Sequence, residues 1–176
     1  REAGMSMRLS HPHIAETLEM GEDAGVHFMV MEYIPGQSLY EMVARGGPLR
    51  TPDAARLFDE IASSLQQIHQ LAVIHPAIKP STIMVTPDDT ANQIDLGLAH
   101  DTANEVDDLT RPGTVVGTMD YIAPEQASAG QDGDERSDIY SLGCTLYFAL
   151  SRRTPFAGGH LLSKIYRHRM EEPDPL

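Results

Sequence analysis

Residues Ser137 to Ser151 read as one helix that is apolar on nearly every side, and no other segment restricts the fold as much. Ile139, Leu142, Leu146 and Leu150 recur at spacings of three and four, while Tyr140, Cys144 and Phe148 add apolar bulk elsewhere. Such a helix is expected to be buried on all sides. Ser141, Gly143 and Thr145 interrupt it, and it falls short of the roughly 20 apolar residues a bilayer span needs. It is therefore a core helix, and other elements must wrap it. A chain of 176 residues supplies one domain with a core of that kind.

The wrapping elements are legible from pattern and punctuation. Alternation over Ile14, Glu16, Leu18 and Met20, and again over Val26, Phe28 and Val30, predicts two strands with a turn at Gly21 to Gly25. Pro35-Gly36 breaks the second strand, and Ser38 with Glu41 forms a capping box for a short helix ending at Gly46-Gly47. A long helix follows, with Thr51 as N-cap, Pro52 behind it, and Phe58, Ile61, Ala62, Leu65 and Ile68 on its apolar face. Thr82 to Val85 and Gln93 to Asp95 flank the turn Pro87-Asp88-Asp89 as a second hairpin. Leu96 to Glu125 is a long polar loop, of a length that points to function, and a last helix is expected near His160 to Met170. The chain opens inside a helical pattern without a start methionine and closes without a stop signal, as though cut at both ends.

Charge and cysteine content narrow the function classes. Thirteen basic against 26 acidic residues give a net charge of −13, the wrong sign for nucleic acid or an anionic membrane surface. Single Cys144 makes no intrachain disulfide and sits in an apolar run, as a small core residue does. The first residues carry no signal-peptide pattern, and the expected compartment is the reducing cytoplasm, with no membrane contact by this segment.

Four landmarks stand in one order: His-Pro-Ala-Ile-Lys-Pro-Ser-Thr at 75–82, Asp95-Leu96-Gly97, Gly117-Thr118 with Tyr121, and Ala123-Pro124-Glu125. With Met31-Glu32-Tyr33 and Asp138, they resemble the catalytic loop, metal-binding triplet, activation segment and hinge of protein kinases, in wording closest to bacterial serine/threonine kinases of the eukaryotic type. The resemblance covers nearly the whole chain. It implies an α+β fold in two lobes, with residues 1–34 as the remnant of the small lobe and hinge and 35–176 as an incomplete large lobe. ATP and Mg²⁺ are the implied cofactors, and a protein substrate or signalling partner the implied partner.

The same resemblance assigns roles. Glu2 matches the helix glutamate that pairs with a strand lysine, which would lie before residue 1 together with the glycine-rich loop. Met31 stands at the gate of the adenine pocket, the backbones of Glu32 and Ile34 at the base edge, and Met84 at its floor. Asp95 matches the principal metal ligand and Lys79 the residue contacting the transferred phosphate. His75 is a packing residue beneath the triplet, Thr118 supports the catalytic loop, Thr114 is a candidate phosphosite, and Asp138 anchors the loop from its helix. Glu125 matches a glutamate whose arginine partner would lie beyond residue 176.

Three positions depart from the pattern. Ala77 replaces the aspartate that orients the acceptor hydroxyl, and no carboxylate lies between His75 and Val85 to replace it. A positioned base is worth roughly 10² to 10⁴ in rate, so severe impairment is expected. Thr82 replaces a metal-binding asparagine and is a weakened ligand. Pro76 replaces an arginine that reads a phosphorylated activation loop, and it withdraws a backbone N–H from the Asp138 anchor. Two function classes therefore stay open: an impaired serine/threonine kinase fragment, or a pseudokinase binding module.

Overall fold

The structure is a computed structural model that describes residues 10–75, 77–94, 118–127 and 133–176, with the backbone alone at Thr118. Its first element is a hairpin of β1 (Thr17–Asp23) and β2 (Val26–Met31), paired antiparallel from Thr17 opposite Met31 to Asp23 opposite Val26. The turn is shorter than the sequence pattern suggests. Ala24 (φ 49°) and Gly25 (φ 80°) make it alone, with both φ values positive, the handedness that matches the twist of paired strands. Gly21 to Asp23 extend β1 because Gly21 lies opposite Phe28, whose ring covers it. A Cβ there would stand 2.5 Å from Phe28 Cζ.

Ile14 belongs to neither strand. It makes an isolated parallel bridge to Gln93, where Ala15 N–H donates to Gln93 C=O at 2.9 Å and Gln93 N–H to His13 C=O at 2.8 Å. That bridge ties the hairpin's entry to a second sheet of β3 (Gln37–Ser38), β4 (Ile83–Val85) and β5 (Ala91–Gln93), antiparallel in that order. The predicted second hairpin is thus present. Its outer strand runs over Ala91–Gln93, earlier than expected, with Ile94 beyond it and Asp95 outside the described residues, and Thr82 belongs to the 3-10 turn Pro80–Thr82.

Helix α1 (Leu39–Gly46) carries the expected capping box: Glu41 N–H donates to Ser38 Oγ at 3.2 Å, and Ser38 N–H to Glu41 Oε2 at 3.0 Å. Helix α2 (Thr51–Gln70) starts one residue earlier than predicted. Arg50 is its N-cap without a side-chain cap, and the Arg50 guanidinium forks onto Asp53 at 2.8 and 3.1 Å. Its buried stripe runs through Ala54, Leu57, Phe58, Ile61, Leu65 and Ile68, and Ala62 lies off that stripe and exposed.

Helix α3 (Glu135–Ser151) corrects the expectation of burial on every side. Ser137, Asp138, Ser141, Cys144, Thr145 and Phe148 face the core, Leu142 and Leu146 are partly covered, and Ile139 is 62 % exposed. Small and hydrogen-bonding side chains share the buried positions with Tyr147 and Phe148, and Asp138 among them reaches the loop after α2. Helix α4 (Leu161–Met170) completes the α+β arrangement. No helix among the described residues is long and apolar enough to cross a membrane.

Gly36 decides how the connection after β2 joins the second sheet. Its φ of 148° is open to glycine, and a Cβ on it would lie 2.1 Å from Val85 C=O oxygen. Gly36→Ala is expected to cost at least about 2 kcal/mol in chemical denaturation, whereas Gly46→Ala, in a helix where nothing obstructs a Cβ, should be neutral or slightly stabilising.

Candidate active-site loop

The loop after α2 is hung from α3 by one carboxylate. Asp138, 2 % exposed in the first turn of α3, accepts His75 N–H on Oδ2 at 3.0 Å, and His69 Nε2 lies 2.7 Å from the same oxygen. His69 stands in the last turn of α2, so this one oxygen joins two helices to the loop. From His75 the bracing continues: Ala77 N–H donates to His75 Nδ1 at 3.1 Å, and Thr82 Oγ1 donates to Ala77 C=O at 2.9 Å. Lys79 is half-buried at the head of the 3-10 turn and donates its N–H to Thr82 Oγ1 at 3.2 Å.

Burial sets the electrostatics of this cluster. Desolvation raises the Asp138 carboxyl above its ordinary range, against the opposing pull of the His75 N–H and His69. The same desolvation, with His69 beside it, lowers the His75 imidazole to about 3. His75 is therefore neutral. Because Nδ1 accepts a bond from Ala77, the proton sits on Nε2, which is buried and has no partner among the described residues.

The other sequence-predicted positions fall as follows. Met31 ends β2 and Met84 lies in β4, both half-buried; Glu32 is exposed and Ile34 half-buried in the connection to β3. Glu32 N–H donates to Glu16 C=O at 2.8 Å. Thr118 opens a second 3-10 turn, Thr118–Asp120, and Tyr121 behind it is buried, its C=O accepting from Ser141 Oγ at 2.7 Å. Glu125 accepts from Ser137 Oγ at 2.5 Å at the positive end of α3, so a hydroxyl and the helix dipole serve that carboxylate. Glu2, Pro76, Asp95, Leu96, Gly97, Thr114 and Gly117 lie outside the described residues.

Sequence reasoning missed two participants. A histidine at a helix C-terminus is already explained by the helix dipole, which hides the role of His69 toward Asp138. Lys164 of α4 is 6 % exposed with its Nζ 2.5 Å from Asp120 Oδ1, tying the segment after Thr118 to α4. No local pattern marks either pair. Among the described residues no three His, Cys, Asp or Glu side chains converge, and the Thr82 hydroxyl is bonded within the loop.

Comparison with known proteins settles the affiliation. The chain matches the protein kinase domain family over residues 1–173. This chain belongs to the protein kinase domain family. The serine/threonine-protein kinase PknB of Mycobacterium tuberculosis (strain H37Rv) is 36 % identical over 179 residues, covering 99 % of this chain and 28 % of its own length. PknB of Mycolicibacterium smegmatis is 35 % identical with the same coverage. The probable serine/threonine-protein kinase CE0033 of Corynebacterium efficiens is 35 % identical over 99 % of this chain and 27 % of its own. This protein kinase domain chain therefore spans little more than a quarter of the length of the curated relatives it matches.

The buried imidazole of this kinase-family domain makes its stability depend on pH. The folded pKa of His75, about 3, lies below its ordinary 6.5, so its contribution is complete above 6.5 and is lost as pH falls from there toward 3. Asp138, with its pKa raised, acts in the opposite sense, relieving strain as it protonates. His75→Asn keeps an acceptor for Ala77 N–H but cannot titrate. Denaturation midpoints measured from about pH 7 down to about pH 5 should fall less steeply in that variant than in the unaltered protein.

Proposed function

We propose that this chain is a fragment of a serine/threonine protein kinase domain whose phosphoryl transfer is severely impaired. The family reaction moves the γ-phosphoryl group of ATP to a protein serine or threonine hydroxyl, and residues 1–34 and 35–176 correspond to the small-lobe remnant with hinge and to the large lobe. In this reading Met31, Glu32, Ile34 and Met84 line the adenine site, Lys79 faces the phosphates, and Asp95 and Thr82 stand where metal ligands belong. Cytoplasmic ATP is the nucleotide source.

The observation that carries the proposal is the methyl group of Ala77 at the base position, with no carboxylate from residue 75 to residue 85 to replace it. Transfer requires a group that orients the acceptor hydroxyl and takes its proton. Asp138 is buried and already accepts from His75 N–H and faces His69. His75 is neutral, buried, and uses its lone pair on Ala77 N–H. Asp138 and His75 are thus engaged in bracing the loop. The second reading, a binding module for a signalling partner, draws support from the same bonds, which brace the loop on both sides of Ala77 without a base there.

With ATP, Mg²⁺ and a generic protein substrate, radiolabel transfer is expected to fall below that of an intact kinase by a factor of at least about 10². Transfer at an ordinary kinase rate that disappears in Lys79→Ala would overturn the proposal. Ala77→Asp alone is expected not to restore turnover, because Thr82 still offers a committed hydroxyl where an amide ligand belongs. Robust transfer by that single variant would place the whole defect at residue 77.

A further inference from the structure

Thr82 occupies a position where the kinase reading calls for a metal ligand, yet its side chain is already bonded to the loop's own backbone. Its Oγ1 shares one proton between Ala77 C=O at 2.9 Å and Lys79 C=O at 3.0 Å, and accepts Lys79 N–H at 3.2 Å. Thr82 N–H returns to Lys79 C=O at 3.0 Å. Residues 77–82 are thus closed by bonds converging on one residue that is 3 % exposed. A hydroxyl has one proton and two lone pairs. The proton and one lone pair are used, and the remaining lone pair lies in a buried turn, where a hard cation would have to shed its waters to reach it.

We infer that Thr82 is a positioning residue and not a metal ligand: it fixes the backbones of Ala77 and Lys79, and through Lys79 the loop's one cationic side chain, with no cation at position 82. The brace is continuous with the Asp138 anchor, since Ala77 is held at its N–H by His75 and at its C=O by Thr82. Loop shape is then a property of the polypeptide alone. This rests on the kinase reading only for the place where a metal would be expected.

Amide exchange and ion uptake test it without any phosphoryl transfer, so this inference and the proposed function can fail separately. In Thr82→Val, exchange at the Lys79 amide should rise about tenfold relative to the core amide of Ile61, and in Thr82→Ser by no more than about twofold. An equal change at both amides, or none at Lys79, would overturn the brace. Free Mn²⁺, followed by electron paramagnetic resonance in the presence of ATP, should be taken up equally by the unaltered protein and by Thr82→Val. A drop of about tenfold in Mn²⁺ affinity in Thr82→Val would make the hydroxyl a ligand after all.

Discussion

A carboxylate taken out of water is costly unless its oxygens find donors, and Asp138 finds them in only one arrangement of the surrounding chain. Its Oδ2 needs the His75 N–H from the loop and His69 from the end of α2. Meeting that need fixes the first turn of α3, the last turn of α2 and the start of the loop relative to one another. Removing either donor leaves a buried charge short of a partner, a loss on the order of 1 to 3 kcal/mol. The inner face of α3 follows from this requirement: Asp138 and Ser141 are inside because their bonds are there, and Ile139 is turned outward.

The other polar contacts extend the same frame outward. Ser141 holds the backbone of Tyr121, Ser137 holds Glu125, and Lys164 pairs with Asp120, so the segment 118–127 is attached to α3 and α4 at three points. On the opposite side, Glu60 accepts Ala91 N–H at 2.7 Å and Arg56 donates to both Glu60 and the Asp89 C=O, pinning the β4–β5 turn onto α2. Cys144 lies among these contacts and stays inert, since burial pushes its thiol up to about 12. The scaffold of this kinase-family domain is thereby held together by polar contacts between its helices and the segments that cross them.

Local signals in the chain carried much of the fold. Ser38 and Glu41 delivered the capping box as read, the two hairpins formed where alternation and turn residues placed them, and the buried positions of α2 followed its period apart from Ala62. Boundaries moved where a cross-strand contact outweighed composition. Gly21 looks like a turn residue, yet the ring of Phe28 opposite it keeps it in β1. Thr51 looks like an N-cap, yet the Arg50–Asp53 fork lets the helix begin around it.

By itself the sequence determined the element order, the family motifs and the absence of a carboxylate from residues 75 to 85, because each of these is a matter of residue type and short spacing. Tertiary structure alone decided which face of α3 is buried, that His69 serves Asp138, that Ser137 serves Glu125, and that the Thr82 hydroxyl turns inward onto Ala77 and Lys79. Helical and strand periods repeat along the chain and can be read from it. A hydrogen-bond partner many residues away is fixed only when packing removes water and leaves one donor within reach, and no periodicity encodes that choice.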